Sequence, residues 1–391
     1  LEAGRIVPYF QPIKHVLSLK SCAIESKSRW DDPELGLLRG ADFIPGLVES
    51  KLIHKLNLFM FKQICDHLKK STEVFSYDAL PMALNVSPES FALCDILGEF
   101  NRMADEAGID RHKICLEVRE SALEGIDDVF IDNIRKLRAA GYEIWIKDFG
   151  SKGSSLGVLE YLDVDAIKID RHFLENFPES RKAGVIVAKI VDLAKELGVR
   201  TLMEGVRDEK VLAFLRQIGC EMAEGAYFQE PMPPGDIKNY SDDMENETAI
   251  AYFEAISQVN VLSQTPTHTG WFRDDDEAYM TSGLPLAIAE YADDRFSFMM
   301  SNAKFCDIFS KMSATGSGDP NEVFNDYTLS FSLSVHESAK TCIMTGHELV
   351  QDFVTSDGFF KIKLRCISYN PETDAGALLI IAEQMSGIQD K

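Results

Sequence analysis

The sequence is poor in several things, and each shortage removes a class of function. It has no unbroken run of about 18 apolar residues, the length that a membrane-crossing helix needs, so no membrane insertion is expected. Its eight cysteines, at 22, 65, 94, 115, 220, 306, 342 and 366, include no C-x-x-C pair and fall mostly in apolar segments. That is the usage of reduced, packed thiols in a cytoplasmic protein, and it argues against a disulfide framework or a sulfur-held metal. Basic residues are scarce: 40 Lys and Arg stand against 63 Asp and Glu, a formal charge of −23. Nucleic acids and anionic membranes are held by basic surfaces, so no nucleic-acid partner is expected. The imbalance is uneven, with 31 basic and 39 acidic residues up to position 240 and 9 and 24 beyond it. The opening Leu1-Glu2-Ala3-Gly4 is neither a signal peptide nor a natural start, and a longer parent chain is expected.

What is present is a chain of 391 residues, 45% hydrophobic, long enough for two domains with full cores. Short β-rich runs alternate with longer amphipathic ones. Strands are predicted near 21–26, 81–87, 114–119, 143–148, 165–169, 199–203 and 223–228, and helices near 41–70, 90–107, 127–140, 183–197 and 207–218. The strands are too uniformly apolar for a face in water. The alternation therefore predicts an α/β fold with a parallel sheet covered by helices, and its length suits a barrel; an open doubly wound sheet is the alternative.

Nearly every predicted strand ends in a polar residue: Glu25, Asn85, Glu117 with Glu120 beyond it, Lys147 beside Asp148, Lys168 with Asp170, Glu204 and Glu224. In a barrel these ends converge on one face, which would make a cup rich in carboxylates and containing lysine. Carboxylates and an amide suit a hard divalent cation such as Mg²⁺ or Mn²⁺. Any single acidic residue at a strand end is more often a turn former or a helix cap. Gly150-Ser151-Lys152-Gly153 is by itself a weak phosphate signal.

Eight segments in order, "YFQPI" (9–13), "ESKSRW" (25–30), "LNVSPESF" (84–91), "LEVRES" (116–121), "KDFGSKGSSL" (147–156), "DAIKIDRHFLEN" (165–176), "MEGV" (203–206) and "GCEMAEGAYFQEPMP" (219–233), resemble the EAL domain family over roughly residues 5–235. Active members of that family hydrolyse cyclic di-GMP to its linear form on a modified triosephosphate-isomerase-type (β/α)8 barrel with one strand reversed. The resemblance implies Mg²⁺ or Mn²⁺ at Glu25, Asn85, Glu117, Asp148 and Glu204, with two ions activating a water for in-line attack. It implies Lys168 as the residue that orients the water, Glu120 as the anchor of the glycine-rich loop, and Gln11 and Arg29 as contacts to the nucleotide. It also implies a homodimer.

Departures from the family pattern fall in the same site. Active members carry two aspartates before "FG", the first bridging both metals; here that residue is Lys147. A unit positive charge about 4 Å from a divalent ion costs roughly 8 kcal/mol at an effective dielectric near 20. Glu-Ala-Leu reads Glu25-Ser26-Lys27, the usual glutamine before "GY" or "GF" is Glu224, the usual Thr-Gly-Tyr of the loop is Ser151-Lys152-Gly153, and Arg119 replaces a threonine. Two readings compete. In the first the domain is catalytically silent, works as a cyclic di-GMP receptor or protein-interaction module with a protein partner, needs no cofactor, and uses Lys147 and Glu224 in its ligand pocket. In the second it is an active or weakly active phosphodiesterase in which one metal ion, Lys168, Glu204 and Glu120 suffice.

The expected division is a barrel over 1–240, a connecting amphipathic helix over 241–265 and a last domain over 266–391. Ile250, Phe253, Ile256, Val259 and Leu262 recur three or four apart, the spacing of one apolar helix face. Beyond it, two short strands (285–291, 296–301), a helix (303–312) and two long strands (359–369, 376–384) resemble a PAS-type sensor domain. "SATGSGDPNE" (313–322) reads as a loop, Phe296, Phe298, Phe305 and Phe309 as core, and His336 and His347 as surface or half-buried residues.

Overall fold

A computed structural model describes residues 3–75, 80–123, 128–151, 156–175, 177, 180–235, 246–257, 259, 285–310, 312, 319–355 and 358–385. The chain divides into two units, one of residues 1–212 with 220–247 and the other of residues 213–219 with 248–391.

The first unit is a closed barrel. Its strands are β1 (Ile6–His15), β2 (Ser21–Asp32), β4 (Met82–Asn85), β5 (Ile114–Arg119), β6 (Glu143–Phe149), β7 (Ala166–Ile169), β8 (Arg200–Met203) and β9 (Met222–Ala223), with the short β3 (Gly36–Arg39) extending β2 as a hairpin. Hydrogen bonds run β1-β2-β4-β5-β6-β7-β8-β9 and back to β1, which closes the ring and rules out the open sheet. Only β1 runs against its neighbours, pairing antiparallel with both β2 and β9, while every other pair around the ring is parallel. The reversed strand is thus observed. Apolar side chains on both faces of the strands explain the closure: Ile144 and Ile146 are covered on one face of β6 and Trp145 on the other, none more than 1% exposed. Trp145 fills the middle of the barrel among small neighbours, Ala23, Ala83, Cys115 and Ala166.

Several boundaries differ from the sequence reading, each for a local reason. The run 41–70 is two helices, α1 (Gly40–Glu49) and α2 (Ile53–Phe75), because Lys51 adopts a left-handed φ of 56° between them. The run 90–107 is likewise α3 (Pro88–Leu93) and α4 (Ile96–Ala107), where the Asp95 side chain accepts the Gly98 N–H and caps the second. β1 escaped prediction because Pro8 and Pro12 interrupt its apolar run. Strand 223–228 shrinks to β9, since the chain leaves the sheet at Glu224 and Gly225; a Cβ on Gly225 would lie 2.1 Å from the Val206 carbonyl oxygen.

The second unit is an antiparallel five-stranded sheet of order β11-β10-β14-β13-β12, made of β10 (Leu286–Ala292), β11 (Arg295–Ser301), β12 (Leu349–Thr355), β13 (Gly358–Asn370) and β14 (Ala375–Met385). Helices Ala303–Ser310, Pro320–Phe324 and Ser330–Thr345 lie in sequence between β11 and β12. Its core is aromatic, built on Phe296, Phe305, Phe309, Phe324, Phe331, Phe353 and Phe360 with Phe298 packed beside them. β12 and the helix Ser330–Thr345 are additions to the sequence reading. Residues 320–322 of the expected loop begin a helix capped by Asp319, while 313–318 lie outside the described residues. His336 is buried, with Nδ1 3.0 Å from the Tyr291 hydroxyl and Nε2 2.9 Å from the Phe324 carbonyl, so it belongs to the core and not to the surface; His347 is exposed. The helix expected over 241–265 is described as Glu247–Ser257, with Ile256 buried and Tyr252 donating to Glu290 at 3.0 Å; residues 260–284 are outside the described residues.

Candidate functional site

Parallel registration brings the polar strand ends together. Asn85 at the end of β4 lies in register with Glu117 of β5, and Arg119, two residues further on β5, lies in register with Lys147 of β6. The ladder between β6 and β7 then slips between Ile146 and Phe149, and Asp148 takes a left-handed φ of 56°. That bulge lets two consecutive residues, Lys147 and Asp148, both serve the rim of one cup, which regular alternation would forbid. Glu224 follows β9 directly, its backbone N–H donating to Met203 at 3.0 Å and its carbonyl accepting from Val206 at 2.9 Å.

Lys168 is the centre of the cup and is wholly buried. Its Nζ stands 2.8 Å from Glu25 Oε2, 2.8 Å from Glu224 Oε1 and 3.2 Å from Glu117 Oε1. Lys27 adds a second ammonium, 2.6 Å from Glu25 Oε2 and 3.7 Å from Glu224 Oε1. Lys147 adds a third, 3.8 Å from Glu117 Oε2. The remaining oxygen of Glu25 accepts from Asn85 Nδ2 at 3.2 Å. Buried charges of this kind persist only when paired, and here three ammonium groups meet three carboxylates.

The electrostatics follow from that pairing. Burial opposes charge on Glu25, but Lys168, Lys27 and Lys147 together outweigh it and hold its carboxyl well below the ordinary range. Burial also works against the Lys168 ammonium, yet Glu117, Glu224, Glu25 and Glu204 hold its pKa well above the usual lysine value. Burial raises Glu117, with Glu25 adding to the rise against the pull of Lys168. Glu224 is pushed up to about 7, first by burial and then by the neighbouring Glu25.

Residues 1–231 match the EAL domain family. The chain belongs to that family. "Cyclic di-GMP phosphodiesterase NbdA" of Pseudomonas aeruginosa is 31% identical over 241 residues, 61% of this chain and 30% of that one. "Probable cyclic di-GMP phosphodiesterase PdeI" of Escherichia coli is 30% identical over 234 residues, 60% of this chain and 30% of that one. The chain thus spans about 30% of the length of these curated relatives. Among solved structures, the PaMucR phosphodiesterase in complex with c-di-GMP is 27% identical with a TM-score of 0.58, over 60% of this chain and 95% of that one. The FimX EAL domain from Pseudomonas aeruginosa bound to c-di-GMP, 18% identical over 59% of this chain and 92% of its own with a TM-score of 0.52, is alike in fold.

Within this EAL domain the residues singled out from sequence separate into two groups. Glu25, Asn85, Glu117, Lys147, Lys168 and Glu224 meet in the cup. Glu204, just past β8, has its charge felt by both Lys168 and Glu224. Asp148 turns to the rim, its Oδ2 3.4 Å from Arg119 Nε. Glu120, fully buried, accepts the Gly150 N–H at 2.9 Å, holding the turn where φ is 84° and a Cβ would strike the Phe173 ring at 2.7 Å. Gln11 gives its side-chain N–H to the Gln229 carbonyl at 2.8 Å, and the Arg29 guanidinium lies 5.4 Å from the centre of the Tyr9 ring. Sequence reasoning missed Asn57 on α2, which donates to the Asn85 carbonyl at 3.0 Å and accepts from Ser90 at 2.6 Å, fixing the end of β4. An asparagine in an amphipathic helix carries no mark of that role.

EAL phosphodiesterases are generally dependent on divalent metal, which needs oxygen donors that are not already held by cations. Glu25 Oε2 faces two ammonium groups, Glu117 faces Lys168 and Lys147, and Asp148 is turned to Arg119. Among the described residues no cluster of three or more carboxylate, imidazole or thiol side chains is arranged to hold a metal ion. The residues do not fit a two-metal centre.

Proposed function

We propose that this cyclic di-GMP signalling protein carries a catalytically silent EAL domain that acts as a cyclic di-GMP receptor or a protein-interaction module. The carrying observation is Lys147, whose ammonium stands 3.8 Å from Glu117 where an active member would place a bridging aspartate. Lys27 supports it, since its ammonium bonds Glu25 and thereby occupies an oxygen that a metal would need. A PAS-type sensor role for residues 266–391 is supported by the antiparallel sheet order, second-first-fifth-fourth-third, with helices between the second and third strands. The reading includes a barrel domain over 1–240, a connecting segment over 241–265, a homodimer and a cytoplasmic setting, the last supported by eight free cysteines. Cyclic di-GMP incubated with the chain and Mg²⁺ or Mn²⁺, then resolved on a column, tests silence. No linear pGpG is expected, and linear product formed in proportion to the protein added would overturn it.

A second reading, a weak metal-dependent phosphodiesterase, is favoured by the retained Glu25, Asn85, Glu117, Lys168 and Glu204. Linear product in the same assay would select it.

A further inference from the structure

The three ammonium groups of the cup are unequally held. Lys168 has three carboxylates within 3.2 Å and Lys27 has Glu25 at 2.6 Å, whereas among the described residues Lys147 has one ion-pair contact, to Glu117, at a distance too long for a hydrogen bond. Yet the Lys147 side chain is only 13% exposed. Among the described residues this ammonium makes no hydrogen bond, which leaves it donors for a ligand. Beside it on β5, in register, stands Arg119, 66% exposed and, among the described residues, tied only by Nε, at 3.4 Å, to Asp148. Register partners on neighbouring strands lie about 4.8 Å apart, a spacing at which a lysine and an arginine reach one tetrahedral anion together. Below them the carboxylates of Glu25 and Glu224 are already met by Lys27 and Lys168.

We propose that Lys147 and Arg119 form a metal-independent anion site at the mouth of the cup, which takes a phosphodiester group directly where active relatives would use metal ions. This rests on the receptor reading and deepens it, because it names the atoms that hold the phosphate. The guanidinium supplies a planar pair of donors and the ammonium a point charge from the side.

The test is calorimetric titration of cyclic di-GMP in EDTA, and separately of inorganic phosphate, into the unaltered chain, Lys147→Met and Arg119→Met. Arg119 is exposed, so its variant keeps the test valid if Lys147→Met fails to fold. The expected result is binding in EDTA that Mg²⁺ changes by less than about twofold and that each substitution weakens about tenfold, the size of a lost charge-assisted hydrogen bond. Phosphate alone binding as tightly as the dinucleotide would place free phosphate as the ligand and overturn the diester assignment. Equal affinity in all three proteins would overturn the anion site while leaving the receptor reading intact. Binding that requires metal would also overturn it, and no binding under any condition would overturn the site and the receptor reading together.

Discussion

Replacing Glu224 by glutamine should make the protein more stable at pH 8 and leave it nearly unchanged at pH 4. Glu224 is 1% exposed, and burial together with Glu25 raises its carboxyl from 4.5 to about 7. A carboxyl raised in the folded state favours its protonated form there. Its contribution to stability is therefore fully present below about 4.5, falls as pH rises to about 7, and is level above that. A shift of that size corresponds to about 3 kcal/mol at 1.36 kcal/mol per unit. The glutamine variant, neutral throughout, avoids that loss, so the difference between the two proteins should grow from near zero at pH 4 to about 3 kcal/mol at pH 8. His15 acts in the opposite sense: burial lowers it to about 4, so its contribution is lost as pH falls from 6.5 toward that value, but it is common to both proteins and cancels in the comparison. Urea unfolding followed by tryptophan emission, with Trp30 and Trp145 both in the barrel, would measure it. A difference that is flat across pH, or a variant less stable at pH 8, would refute the account of Glu224 as a carboxyl held against its charge.

Removing the central cation should be costly. Lys168→Met leaves three carboxylates facing one another, and a loss of about 3–5 kcal/mol at pH 7.5 is expected, partly recovered at pH 5 where the carboxyls regain protons; thermal unfolding at the two pH values checks both parts. Gly150→Ala should destabilise by about 1–3 kcal/mol, because its φ of 84° strains an L residue and the new methyl meets Phe173; urea midpoints would register it. In the second unit, Phe309→Ala opens a cavity among Phe305, Phe324, Phe331 and Phe353 and should cost about 3–5 kcal/mol, seen as accelerated hydrogen exchange in β10 and β14.

The order of elements in the barrel was readable because its strands are buried on both faces and its helices on one, so that hydrophobic period changes with every element. Ile144-Trp145-Ile146 could only be a covered strand, and the polar residues that follow could only lie at its end. Strand β1 was not readable, since a proline-broken run is rescued only by two antiparallel neighbours supplied from elsewhere in the chain. β12 was hidden likewise, as its seven residues take their strand character from pairing with β13. The charges of the cup were legible one residue at a time, including the unusual Lys27, Lys147 and Glu224. Which cation met which carboxylate was not. That choice depends on contacts of about 3 Å between residues 25, 117, 168 and 224, and parallel register alone brings these together. Sequence by itself determined that carboxylates and lysines would crowd one end of a barrel. Tertiary structure decided that Lys27 and Lys168 would meet Glu25 and Glu224 while Lys147 stands 3.8 Å from Glu117, because Coulomb energy depends on distances that no spacing along the chain encodes.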